Sequence, residues 1–261
     1  MVRLSVCIEM YWTELPYVQR VERVAAAGLQ AVEFWNYSDK DLPAIHAAAQ
    51  AGGLAVAAFV CEPGFALTGP TTVDEHVAGV RRAAEVGRTL GTRTLIVTAG
   101  NEVAGESYEI TRRRVLRKLK AMAAAAEGEG VTLCLEPLNV HNDHPGYWLT
   151  TMAQAADLID EVDSPGLKIL YDIYHQQITE GSILANLRKH APRIGHIHVA
   201  GAPGRGNLVG GDLDYRTIFA AIDALGNGGD SGYDGYVGLE FRPTGDTESA
   251  LAEAVLLAQT A

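Results

Sequence analysis

The sequence predicts an α/β protein, a single-domain (β/α)₈ TIM barrel covering residues 1–261. Two observations carry this. Short Val-, Ile- and Leu-rich runs alternate with longer stretches of helical spacing, eight of each, along a chain of 261 residues. The short runs are also nearly continuous in apolar residues, as expected of parallel strands covered on both faces.

The first strand is expected at Leu4–Ile8, followed by a helix over Pro16–Ala27. The pairs continue as Ala31–Trp35 with Leu42–Ala51, Ala55–Cys61 with Val73–Leu90, and Thr94–Thr98 with Ile110–Glu127. In the second half they are Thr132–Leu138 with Thr151–Val162, Leu167–Tyr174 with Ile183–His190, Ile194–Ala200 with Tyr215–Leu225, and Tyr236–Phe241 with Glu248–Gln259. Glycines at 28, 52, 91, 128 and 226 stand where helix C-caps are wanted. An open doubly wound sheet is disfavoured, because the first strand–helix turn, IEMYWTELP, lacks a GxGxxG phosphate cradle.

Composition narrows the function. With 21 Lys and Arg against 32 Asp and Glu the net charge is −11, the wrong sign for a phosphate-backbone partner, so no nucleic acid is expected. Cys7, Cys61 and Cys134 are few, odd in number and set in apolar runs, and read as buried reduced thiols. No signal peptide and no apolar run of about 18 residues is visible, which predicts a soluble, cytoplasmic chain without a membrane partner.

Barrel enzymes build their sites at the C-terminal ends of the strands. Four consecutive strands here end on an ionisable residue: TLCLEPL on Glu136, LKILYDIYH on Asp172, IGHIHVAG on His198 and YVGLEF on Glu240. Their neighbours are apolar, so three convergent carboxylates need a positive partner. An oxygen-rich set with one imidazole suits one divalent metal ion, Mn²⁺, Mg²⁺ or Co²⁺, rather than a structural zinc. His196 shares a strand face with His198 but lies deeper, and reads as a core residue or as an orienter of its neighbour.

Several other residues stay open at this level. Glu33 and Glu62, in the first half, read as substrate contacts, supporting partners or loop anions. His141 and His144 read as polar loop groups, and His46, His76 and His190, on helices, as surface or interfacial. The glycine-rich run GAPGRGNLVGG lacks the GK[ST] ending of a phosphate loop, and its Arg205 is equally suited to solvent or to a substrate oxygen.

The segments LCLEPLN, LKILYDIYHQQITEG, PRIGHIHVAGAPGRG, GDLDY and GYDGYVGLEFRP resemble the hydroxypyruvate isomerase family, part of the xylose isomerase-like barrels that also include ketose 3-epimerases. The resemblance is dense from about Val131 to Pro243. It implies an isomerase whose metal is held by Glu136, Asp172, His198 and Glu240, with Glu136 and Glu240 as the proton-transfer pair. It implies substrate binding by His175 and Arg205, and a small hydroxy-oxo acid or ketose as substrate. Barrels of this group associate, so a homo-oligomer is expected. One strand departs from the pattern. Hydroxypyruvate isomerases read H-I-Q-I-A on strand seven, whereas His198 is the ligand type of the epimerases. The loops CEPGFALTGPTT and FWNYSDKD also differ from the usual isomerase versions. A ketose 3-epimerase, a lyase on oxidised sugars and a non-catalytic barrel are the alternatives. A repair endonuclease of the same superfamily would need a three-zinc cluster and a basic surface.

Overall fold

A computed structural model describes residues 1–226 and 233–261. Eight parallel strands close into a barrel in chain order: β1 (Arg3–Cys7), β2 (Ala31–Phe34), β3 (Ala55–Val60), β4 (Thr94–Thr98), β5 (Thr132–Glu136), β6 (Leu167–Asp172), β7 (Ile194–Val199) and β8 (Tyr236–Leu239). Around them run α1 (Tyr17–Ala26), α2 (Leu42–Ala51), α3 (Val73–Leu90), α4 (Tyr108–Glu129), α5 (Met152–Val162), α6 (Ile173–Thr179), α7 (Ile183–His190), α8 (Tyr215–Gly226) and α9 (Thr247–Gln259). Every expected pair is present, and among the described residues no helix is long and apolar enough to cross a membrane.

Local chemistry sets the boundaries. Thr72 with Glu75, and Thr151 with Gln154, form reciprocal capping boxes that open α3 and α5. The expected cap at Gly128 is displaced, since that residue lies inside α4. The helix runs two residues further to Gly130, which takes the left-handed conformation with φ 69°. The sixth strand ends at Asp172, two residues before the expected Tyr174. The Asp172 carboxylate accepts the His175 backbone N–H at 3.0 Å, which caps an extra short helix, α6.

The helices and the outer strand faces form one large apolar layer, and Cys7, Cys61 and Cys134 are free buried thiols as expected. His76 and His190 are buried rather than at the surface. Inside the barrel, Ala58, Val60, Ile96, Cys134 and Leu170 make a separate apolar cluster on β3–β6. Residues two apart on a strand share a face, so the inward series can be followed upward. Cys134 leads to Glu136, Leu170 to Asp172, His196 to His198 and Gly238 to Glu240. Glu136, Asp172 and His198 are thus the topmost inward residues of their strands, and Glu240 continues the inward series of β8 one position past its end.

The loop between β3 and α3 is held from α4. The buried Lys118 ammonium donates to the carbonyls of Ala66 at 3.1 Å, Leu67 at 2.9 Å and Gly69 at 2.9 Å, and Arg114 donates to Thr68 O at 2.6 Å. Lys118→Met removes all three donors from its carbonyls at once, so urea unfolding should show a loss of about 2–4 kcal/mol. A variant as stable as the parent would mean that the loop is held elsewhere.

Candidate active site

The barrel mouth opens into a cavity of about 500 Å³ whose wall includes Glu136, His198, Glu240, His175, Arg205 and Trp35. The strand register explains how the ionisable groups meet. Asp172 on β6 pairs with His198 on β7, and His198 pairs with Gly238 on β8, two residues before Glu240. Glu136, Asp172, His198 and Glu240 are all buried, and one ligand atom from each lies within 4.8 Å of the others.

The electrostatics of this cluster are unequal. Burial, reinforced by Glu240 and Asp172, pushes the Glu136 carboxyl up to about 8 despite the nearby His198. Glu240 goes the other way. Burial opposes its charge, but Arg205 and His198 outweigh burial and hold it well below the usual carboxylate range. Its Oε2 accepts from Arg205 at 2.6 Å and its Oε1 from the Trp35 indole N–H at 2.6 Å. His198 Nδ1 lies 3.3 Å from Glu240 Oε2 and 3.8 Å from Glu136 Oε1, with no hydrogen bond made. An imidazole nitrogen facing three carboxylates fits the donor set of one hard divalent cation.

His175 is buried on α6. Its Nδ1 accepts from the Asn139 backbone N–H at 3.2 Å and faces the Asn139 amide at 2.7 Å. With Nδ1 so occupied the proton sits on Nε2, which has no hydrogen-bond partner among the described residues and lies 3.7 Å from Asp172 Oδ2, while the residue as a whole borders the cavity. Burial, with Arg205 adding to it and Asp172 opposing it, brings the ring down to about 4. His175 is therefore a neutral donor. Arg205, with φ 54°, also approaches Asp143, Nη1 to Oδ1 at 3.7 Å.

Of the open residues, Glu62 accepts the backbone N–H groups of Tyr37 at 3.0 Å and Ser38 at 3.1 Å, which makes it a loop anion. His141 is exposed, while His144 borders the cavity and packs on Phe65, ring centroids 6.0 Å apart. His196 is buried beneath His198 against Glu33, outside the cavity wall. Sequence reasoning missed Trp35, Asn139, Asp143 and Arg242. Trp35 carried a usable signal, because it stands two residues after Glu33 and so continues an inward series. The other three come from loops, where no periodicity applies.

The family profile described as xylose isomerase-like TIM barrel matches residues 21–259. The chain belongs to this family. It is 33% identical over 265 residues to a hydroxypyruvate isomerase of Escherichia coli, covering 96% of this chain and 97% of the relative. It is 32% identical over 258 residues to a 2-oxo-tetronate isomerase of Cupriavidus necator, covering 96% of each. A crystal structure titled AP endonuclease, family 2, from Brucella melitensis superposes with a TM-score of 0.88 at 26% identity, covering 98% of this chain and 99% of that one. The resemblance seen in the strand-end motifs therefore extends over nearly the whole chain, and the protein is an isomerase of this family.

The His175 environment makes a direct prediction. Nitrogen-15 NMR should find this ring neutral, with its proton on Nε2, from pH 5 to 8, because its folded value of about 4 lies below that window. A ring protonated at pH 6 would contradict the arrangement.

Proposed function

We propose that this isomerase interconverts hydroxypyruvate and tartronate semialdehyde through an enediolate, at a site where Glu136, Asp172, His198 and Glu240 hold one divalent cation, Mn²⁺, Mg²⁺ or Co²⁺. The observation that carries the reading is the convergence of three buried carboxylates and an imidazole within 4.8 Å at the barrel mouth. When bound, the cation supplies Lewis acidity, drawing electron density from the substrate carbonyl so that the neighbouring C–H becomes acidic.

The chain's own residues supply the rest. Glu136 and Glu240, on β5 and just after β8, are the proton-transfer pair. One takes a proton from the carbon bearing the hydroxyl, and the pair returns a proton to the neighbouring carbon as the carbonyl moves across. His175 donates from Nε2 to a substrate oxygen, stabilising negative charge without itself titrating. Arg205 holds Glu240 ionised and offers further donors to the substrate. Arg242 supports an acidic substrate. It borders the cavity, is exposed and makes no ion pair among the described residues, which leaves its guanidinium free to meet a substrate carboxylate. The −11 net charge and a cluster suited to one cation weigh against a nuclease reading.

His198 favours a second reading, because histidine at this position resembles the ketose 3-epimerases. The same enediolate would then be reprotonated on its original carbon from the opposite face. A panel of hydroxypyruvate and free ketoses, followed by deuterium incorporation from D₂O, separates the two readings and reports enolisation by either.

Glu136→Gln and Glu240→Gln should each lower turnover by about 10³-fold or more without loss of fold, since each removes half of the proton relay. Near-full activity in either would sink the two-glutamate scheme. Arg242→Met should raise KM for hydroxypyruvate by about 10–100-fold with little change in kcat, the loss of one charge-assisted contact. If Arg242→Met affects hydroxypyruvate and a ketose equally, the carboxylate assignment fails.

A further inference from the structure

Glu33 on β2 is buried inside the barrel and does not border the cavity, yet it touches the cluster from below. Its Oε2 accepts the Ser5 hydroxyl at 2.7 Å and lies 3.0 Å from His196 Nε2. Its Oε1 lies 2.8 Å from His198 Nε2, at ion-pair distance though off the line of the ring N–H. A charged carboxylate in this position needs compensation. The two imidazoles within reach of it are those of His196 and His198.

Gly238 makes the contact possible. A Cβ at that position would stand 2.2 Å from Glu33 Oε1 and 2.6 Å from His198 Cδ2. No side chain at 238 fits without displacing the carboxylate or the ring. β8 therefore leaves an opening at the level where Glu33 reaches His198.

The geometry points to Glu33 as the positioning residue of the cation site, fixing His198 with its proton on Nε2 and its Nδ1 lone pair toward Glu136 and Glu240. It does so through the space left at Gly238. This rests on the reading that the upper cluster holds a cation. An imidazole donates to a metal through one unprotonated nitrogen, and the partner of the other nitrogen decides which one that is. Within 4 Å of His198 Nε2 the acidic partner is Glu33 alone among the described residues, whereas Nδ1 faces Glu136 and Glu240. Glu33, His196 and His198 are also close enough to hold an ion themselves. The engagement of Oε2 by Ser5 and His196, away from the cavity, argues for support rather than a second site.

The test uses the full chain stripped of metal by chelator and titrated with Co²⁺, followed by d–d absorption and calorimetry. The parent should bind one equivalent. Glu33→Gln offers one acceptor and one donor in place of two acceptors, and should weaken Co²⁺ binding about 10–100-fold. Gly238→Ala keeps Glu33 and His198 but crowds their contact, and should weaken binding in the same direction. Nitrogen-15 NMR of the Mg²⁺-loaded parent needs no variant, and should show His198 with its proton on Nε2. Parent-like Co²⁺ affinity in Glu33→Gln would overturn the assignment, as would a His198 proton on Nδ1. A second Co²⁺ equivalent in the parent, lost in Glu33→Gln, would overturn it in favour of a lower metal site. No Co²⁺ binding by the parent at all would overturn the cation reading itself, and the role of Glu33 with it.

Discussion

Three carboxylates aimed inward at one end of a closed barrel are the constraint that the rest of the mouth is arranged around. The closed barrel brings Glu136, Asp172 and Glu240 together in one buried cluster, where water is scarce and like charges repel. The chain answers with donors from elements far apart in sequence. The Trp35 indole comes from the end of β2 and Arg205 from the loop after β7. Both act on Glu240. Glu136 has no such donor on its carboxylate among the described residues, and burial pushes its carboxyl up to about 8. The two glutamates of the cluster thus sit in opposite environments.

The barrel interior is divided in the same way. From β3 to β6 the layer below the cluster is apolar, built from Ala58, Val60, Ile96, Cys134 and Leu170. Across from it, Ser5, Glu33, His196 and the bare Gly238 form a polar sector under β1, β2, β7 and β8. Burying an ion pair there would be unfavourable if it only filled space, since apolar residues would pack as well. Its value lies in direction: the sector lies directly beneath the one imidazole of the cluster.

How much of this was legible in the sequence follows from the period of the structure. A strand repeats every two residues, so the strand-end series and the four cluster residues could be read directly, as could all eight strand–helix pairs. Helix ends were legible only where the cap was local. Gly91 caps α3 as the pattern expects, whereas at the end of α4 both Gly128 and Gly130 satisfy the pattern and Gly130 is the cap. Glu33 stayed ambiguous because a buried carboxylate in a strand has several uses until its partners, 163 and 165 positions away at His196 and His198, are in place. Asn139, Asp143 and Arg242 lie on loops whose paths no short-range rule sets, so their arrival at the cavity was not legible at all.

His198 is also where the sequence departs from the strand-seven glutamine that its resemblance to the hydroxypyruvate isomerases implies, and the physical consequence of that difference is specific. A glutamine offers a carbonyl oxygen to a cation and needs no proton placed elsewhere to do so. A histidine offers a lone pair only in one of two tautomers, and so brings a requirement for an acceptor behind it. In the proposed arrangement that acceptor is Glu33, and its reach depends on Gly238 having no side chain. Changing His198 to glutamine would leave Glu33 with His196 as its one neighbouring imidazole. The identity of the residue at position 198 is therefore tied to the interior of the barrel as well as to the cavity above it.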